Sequence, residues 1–175
     1  MDFSALMLAR QSCRAYDSSR PVSQEDITAC LEAARMAPSA CNAQPYRFAV
    51  ATGKAADAIG ACTRSMGMNA FTKDVGVFIV ISEGPYNRTA AAGAKLKDQD
   101  YRSVDIGITT AYLTARATEL GLSTCILGWF DEEKVRKLTG AEGKIRLVIA
   151  LGYAKADDPL REKKRKEQDI LVKWL

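Results

Sequence analysis

With 175 residues, 47% hydrophobic and 26% charged, the chain has the composition of one folded domain rather than of a disordered or fibrous protein. Most of its +4 net charge is local, because residues 161–167, REKKRKE, hold five bases against two acids; this argues against a broadly basic nucleic-acid-binding surface. Five scattered cysteines with no CxxC pair, and no histidine, argue against a disulfide framework or zinc site and remove every Ser-His or Cys-His mechanism.

In chain order, residues 2–10 read as a first helix. No basic region precedes an apolar stretch there, as a signal peptide requires. No apolar run reaches the roughly 20 residues of a membrane span. The expectation is a cytoplasmic protein that engages neither membrane, nucleic acid nor metal. The segment SSRPVSQED is a loop followed by a helix start, with Ser23 and Asp26 in capping-box spacing. Ile27, Leu31 and Ala34 line one face of that helix to about Ala37, and Pro38 ends it.

YRFAVAT reads as a strand and residues 54–66 as an Ala-rich helix. GVFIVIS, Gly76 to Ser82, has the continuous apolar character of a central strand. Residues 84–97 read as a flexible excursion that could act as a lid. A long helix runs from about Asp98 to Leu120, apolar or small on nearly every face and closed by Gly121. LSTCILGWF is a further strand ending at Gly128, Asp131 to Leu138 a short helix, and IRLVIALGYA the last strand. A charged segment and the apolar tail ILVKWL follow; the tail packs either on a second subunit or back on its own chain. Interleaved helices and strands predict a single α+β domain over residues 1–175, with a mostly buried sheet.

Several short stretches have the residues for chemistry. Arg10, Ser12 and Arg14 in RQSCRAY offer two guanidiniums and a hydroxyl, suited to a phosphate or to plain solvation. In MAPSACNAQPYRF the helix stops at Pro38, and small side chains then accompany Asn42 and Gln44. Those amides suit a flat ligand with donors and acceptors, or else the local backbone. Gly128 follows a strand, where open sheets commonly bind ligands. Lys163 and Arg165 could clamp an anion or form a solvated face. Asn69 and Lys73 precede the central strand.

The order of these motifs resembles the FMN-dependent nitroreductase family, in its short members. The likeness lies in Arg-x-Ser-x-Arg-x-aromatic, then APSACNAQPYRF, ATELGLSTCILGWFD, LVIALGYA and the KKRK before a C-terminal Trp, and it spans nearly the whole chain. It implies a homodimeric α/β sandwich with a central, mainly antiparallel sheet flanked by helices, and with FMN sites shared between subunits. By position, Arg10, Ser12, Lys163 and Arg165 match residues holding the phosphate and ribityl chain, with Gln11 beside them. Arg14 and Lys73 match basic groups near the pyrimidine edge, where they would assist catalysis, and Asn69 lies near them. Pro38, Ser39, Asn42 and Gln44 match the segment lent by the partner. Leu127 and Gly128 match backbone near the reactive ring nitrogen. Residues 84–104 would set the substrate, and the tail, about 160–175, would embrace the partner. The implied activity is hydride transfer from NADH or NADPH, by a ping-pong cycle, to a nitroaromatic, quinone or similar small-molecule acceptor. A non-catalytic FMN carrier or sensor is the alternative.

Overall fold

The computed structural model describes residues 1–175 and sets the apolar run near residue 80 in the middle of a sheet. Strands β1 (Tyr46–Thr52), β2 (Val77–Glu83), β3 (Ser123–Leu127) and β4 (Ile145–Gly152) lie in the order β1-β2-β4-β3. Every pairing among them is antiparallel. Six of the seven β2 residues are buried, because the sheet is covered on both sides.

Alternation along β2 and β4 divides the core into two halves. Phe78, Val80, Val148 and Ala150 face Ile59 of α3 (Gly53–Thr63) and Val135 of α6 (Glu132–Thr139). Val77, Ile79, Ile149 and Leu151 face Ile27 of α2 (Gln24–Arg35) and Leu113 of α5 (Tyr101–Glu119). The result is a helix–sheet–helix sandwich. The start of α2 follows its capping signal, with Ser23 Oγ accepting the Asp26 N–H at 3.0 Å. No helix is long and apolar enough to cross a membrane.

Three expectations change. The helix expected over 54–66 ends at Thr63, because Arg64 leaves helical geometry and Met66 and Gly67 turn at φ 52° and 75°. Residues 84–97 are not a featureless excursion. Asn87 Oδ1 accepts the Ala90 N–H at 2.8 Å and starts α4 (Arg88–Lys97), an alanine-rich helix. The long helix begins at Tyr101 rather than Asp98. Asp98 sits at φ 48° and closes α4, and Asp100 caps α5 through the Ser103 N–H at 3.1 Å.

The segment after α1 (Phe3–Ala9) is an extended arm laid along the sheet. Ser12 bridges Thr124 in parallel, and the Cys13 N–H reaches Thr124 O at 2.9 Å. Tyr16 then bridges Ala154, buries its ring, and donates its hydroxyl to Ala150 O at 3.3 Å. This arm brings Arg10 to Arg14 beside β3.

Candidate functional site

The arm and the C-terminal segment close on each other. Gln11 Oε1 accepts the Arg161 N–H at 3.0 Å, and Gln11 Nε2 donates to Pro159 O at 3.1 Å. Arg161 Nη2 donates to Ser12 O at 2.8 Å, and Lys163 Nζ to Arg10 O at 2.8 Å. Arg165 is exposed and donates to Lys164 O at 2.7 Å. Burial, then Arg10, Arg165 and Arg161, hold the Lys163 ammonium below the ordinary lysine value of 10.5. Like charges depress a lysine when no acid offsets them. The four cations therefore form an electropositive cluster suited to an anion. Arg161, paired at 2.8 Å with the buried carboxylate of Asp158, is the member that the local motifs did not single out.

Burial pushes the Cys125 thiol up, and Arg14, the Ser12 hydroxyl and Arg161 pull it partly back. Those three groups thus lie beside β3, which delivers Leu127 and Gly128. Leu127 is buried, whereas Gly128 is exposed with open space where a side chain would begin. The turn after β3 is pinned from one side. Asn69 Nδ2 donates to Trp129 O at 3.3 Å and to Thr63 O at 3.2 Å, and Trp129 Nε1 donates to Ser65 Oγ at 2.8 Å. Asn69 holds φ 53° and heads the 3-10 turn Ala70–Asp74, whose last turn carries the exposed Lys73. Phe71 of the same turn stacks on Tyr16, with ring centres 6.1 Å apart. Within one protomer the arm residues Arg10, Gln11, Ser12 and Arg14 thus lie by β3 and the segment holding Arg161 and Lys163, and Asn69 bonds the turn after Gly128; the exposed Lys73 side chain makes no hydrogen bond or ion pair to this group.

Pro38, Ser39, Asn42 and Gln44 are not part of that assembly. Their loop follows α2, on the α2/α5 side of the sheet, and no hydrogen bond links it to the cationic cluster. Ser39 Oγ accepts the Gln44 N–H at 3.0 Å, and Gln44 Nε2 donates to Asn42 O at 3.0 Å and Oδ1 at 3.1 Å. Cys41, Asn42 and Gln44 hold φ of 50°, 51° and 46°. Left-handed backbone costs a non-glycine residue about 1–2 kcal/mol, less for Asn. The loop is held in this shape from outside, by Asp105 and Asn87.

All five cysteines are free thiols, and only Cys41 is exposed. No group of three or more Cys, Asp or Glu side chains is gathered as a metal-binding set.

Comparison with known proteins gives the family and the fold. The Nitroreductase family matches residues 7–153. An oxygen-insensitive NADPH nitroreductase of Helicobacter acinonychis is 25% identical, covering 97% of this chain and 95% of its own. A nitroreductase family protein of Streptococcus pneumoniae superimposes with a TM-score of 0.83 at 21% identity, over 99% of this chain and 100% of its own. A protein of Exiguobacterium sibiricum crystallised in complex with FMN gives 0.79 at 19% identity, over 100% and 98%. The two structures share the fold. The family match runs from the end of α1 to the residue after β4, so it takes in the arm, the strained loop and the turn at Gly128, and this chain belongs to the nitroreductase family.

Proposed function

We propose that the chain is an FMN-dependent oxidoreductase, working as a homodimer, that takes hydride from NADH or NADPH and passes it to an electron-poor acceptor such as a nitroaromatic or quinone. The carrying observation is the gathering of Arg10, Arg161, Lys163 and Arg165 where Arg161 bonds Ser12 O and Lys163 bonds Arg10 O, with Asp158 as the one acid paired there, on Arg161. Such a cluster fits the phosphate of FMN, and the relatives named for nitroreductase activity or crystallised with FMN support that choice.

When bound, the flavin supplies the two-electron hydride chemistry. Arg10, Ser12, Lys163 and Arg165 would hold the phosphate and ribityl end. Arg14 and Lys73 would present cations to the ring and so favour negative charge on it, an electrostatic contribution that needs no protein acid or base. The chain has no histidine to provide one. Leu127 and Gly128 would offer backbone to the ring, and the open space at Gly128 would allow close approach. Donor and acceptor would use one exposed site in turn, which is a ping-pong cycle.

Exposed apolar surface supports the dimer. No α1 residue is buried, and Phe3, Met7 and Leu8 stand in solvent, as do Val104 and Tyr112 on α5. Ile170, Leu171, Trp174 and Leu175 of the tail are also bare. An apolar expanse of this kind marks an association surface. A second copy covering it would let its own loop over residues 38–44 complete the site. The decisive experiment is anaerobic titration of the FMN-loaded protein with NADH and NADPH, followed at the flavin absorbance. Bleaching, then parallel initial-velocity lines with a quinone, support the reading. A yellow protein that neither donor bleaches is a carrier, and a monomer that takes up no FMN overturns the proposal.

A further inference from the structure

Asp105 lies near the start of α5, 2% exposed. Its Oδ1 accepts the Ala40 N–H at 3.0 Å, while Oδ2 is buried without a partner. Burial raises this carboxyl's pKa and the Ala40 amide lowers it; no basic group contributes. An unpaired buried carboxylate is costly, and a residue serving only to pack would be apolar or a hydroxyl. Four such hydroxyl or small positions, Thr109, Thr110, Thr114 and Ala117, are buried further along the same helix. The carboxyl at 105 therefore has a specific partner to justify it.

That partner is the strained loop. Most hydrogen bonds within residues 39–44 close the loop on itself, through Ser39, Ala40, Asn42 and Gln44. Two side chains from outside tether its backbone: Asp105 at Ala40, and Asn87 at Cys41 O, at 3.0 Å. Of these two, Asn87 is exposed and heads α4, whereas Asp105 is rooted in the core beside Ile106. The neighbouring Tyr86 hydroxyl is likewise buried without a partner, and the Asp105 charge acts on it.

We propose that Asp105 is a positioning residue for cofactor binding, which accepts the Ala40 N–H and so keeps the loop in the left-handed shape that presents Asn42 and Gln44. It acts as a hydrogen-bond acceptor rather than as a charge. The inference rests on the reading that this loop touches FMN.

The test uses the full-length apoprotein, FMN fluorescence titration, and hydrogen exchange at the Ala40 amide. Asp105→Ala should weaken FMN binding by about tenfold and speed Ala40 exchange. Asp105→Asn retains an acceptor oxygen and should restore both. Ala40→Pro deletes the donor without touching α5, and Ser39 before it is already extended (φ −145°, ψ 156°), as a following proline requires. It should match Asp105→Ala in FMN affinity, and the double variant should be no worse than either single one. Wild-type affinity in Asp105→Ala, or Asp105→Asn as weak as Asp105→Ala, overturns the proposal. If Asp105→Ala does not fold, Ala40→Pro with wild-type affinity overturns it equally. A wild-type protein that binds no FMN refutes the functional reading instead, and Ala40 exchange then still decides whether Asp105 holds the loop.

Discussion

Gln11 and Arg161 are 150 positions apart in sequence and bonded in space, with the Gln11 side-chain oxygen accepting the Arg161 backbone N–H at 3.0 Å. Because the same amide also donates to Pro159 O, one neutral side chain fastens the C-terminal basic segment to the arm that carries Arg10 and Ser12. A residue that carries no charge thereby helps to hold half of the proposed phosphate site in place, beside the bonds of Arg161 to Ser12 O and Lys163 to Arg10 O.

Replacing Gln11 by Ala should consequently free residues 159–165 without altering the charge of the cluster. We expect FMN affinity to fall by about tenfold, the usual effect of losing a hydrogen bond or two from a partly exposed contact. Tryptic cleavage at Arg161 to Arg165 should quicken in the same variant. Unchanged cleavage and affinity would mean that the segment is held by other contacts.

Selectivity between FMN and riboflavin tests the cationic cluster itself. Arg10→Ala should weaken FMN binding by about ten- to a hundredfold, as loss of a charge-assisted contact does, and leave riboflavin binding nearly unchanged. Equal losses for both ligands would place Arg10 away from the phosphate.

Asn69 combines two roles that substitutions can separate. It sits at φ 53° and donates to Trp129 O and Thr63 O. Asn69→Gly keeps the backbone at ease and loses the bonds; Asn69→Ala loses the bonds and adds left-handed strain of about 1–2 kcal/mol. Thermal denaturation should rank them wild type, Gly, Ala in decreasing stability. A glycine variant less stable than the alanine variant would contradict the assigned backbone conformation.

The parts legible in the sequence were those with local causes. The β1 span matches its expectation because Pro45 precedes it and a glycine follows it, and β2, expected over 76–82 and found at Val77–Glu83, is legible because a strand buried on both faces is apolar nearly throughout. Arg10, Ser12 and Arg14 share one short motif. Arg161 was not singled out because its role is created by Gln11 at the other end of the chain, although its place at the head of REKKRKE was a weak signal. Asp105 is inconspicuous within a run of small and apolar residues, where a lone acid is itself the clue. Helix α4 is hard to see in the sequence because its cap, Asn87, follows Gly84 and Pro85, which suggest a loop.

The pH dependence of FMN binding follows from Lys163. Its free-state pKa lies below 10.5, from burial first and then the repulsion of Arg10, Arg165 and Arg161. A bound phosphate dianion favours the charged ammonium and raises that pKa. The complex therefore holds a proton that the free protein has begun to release, and binding takes up protons over the interval between the two values. Affinity should be flat at neutral pH and weaken as pH climbs through the free-state pKa, beginning earlier than for an ordinary lysine, at a limiting slope of about tenfold per pH unit. Lys163→Arg keeps a cation that does not titrate in this range, so its affinity should stay flat over the same interval. FMN titrations in matched ionic strength across the alkaline range check both curves, and an equally steep decline in Lys163→Arg would assign the dependence to another group.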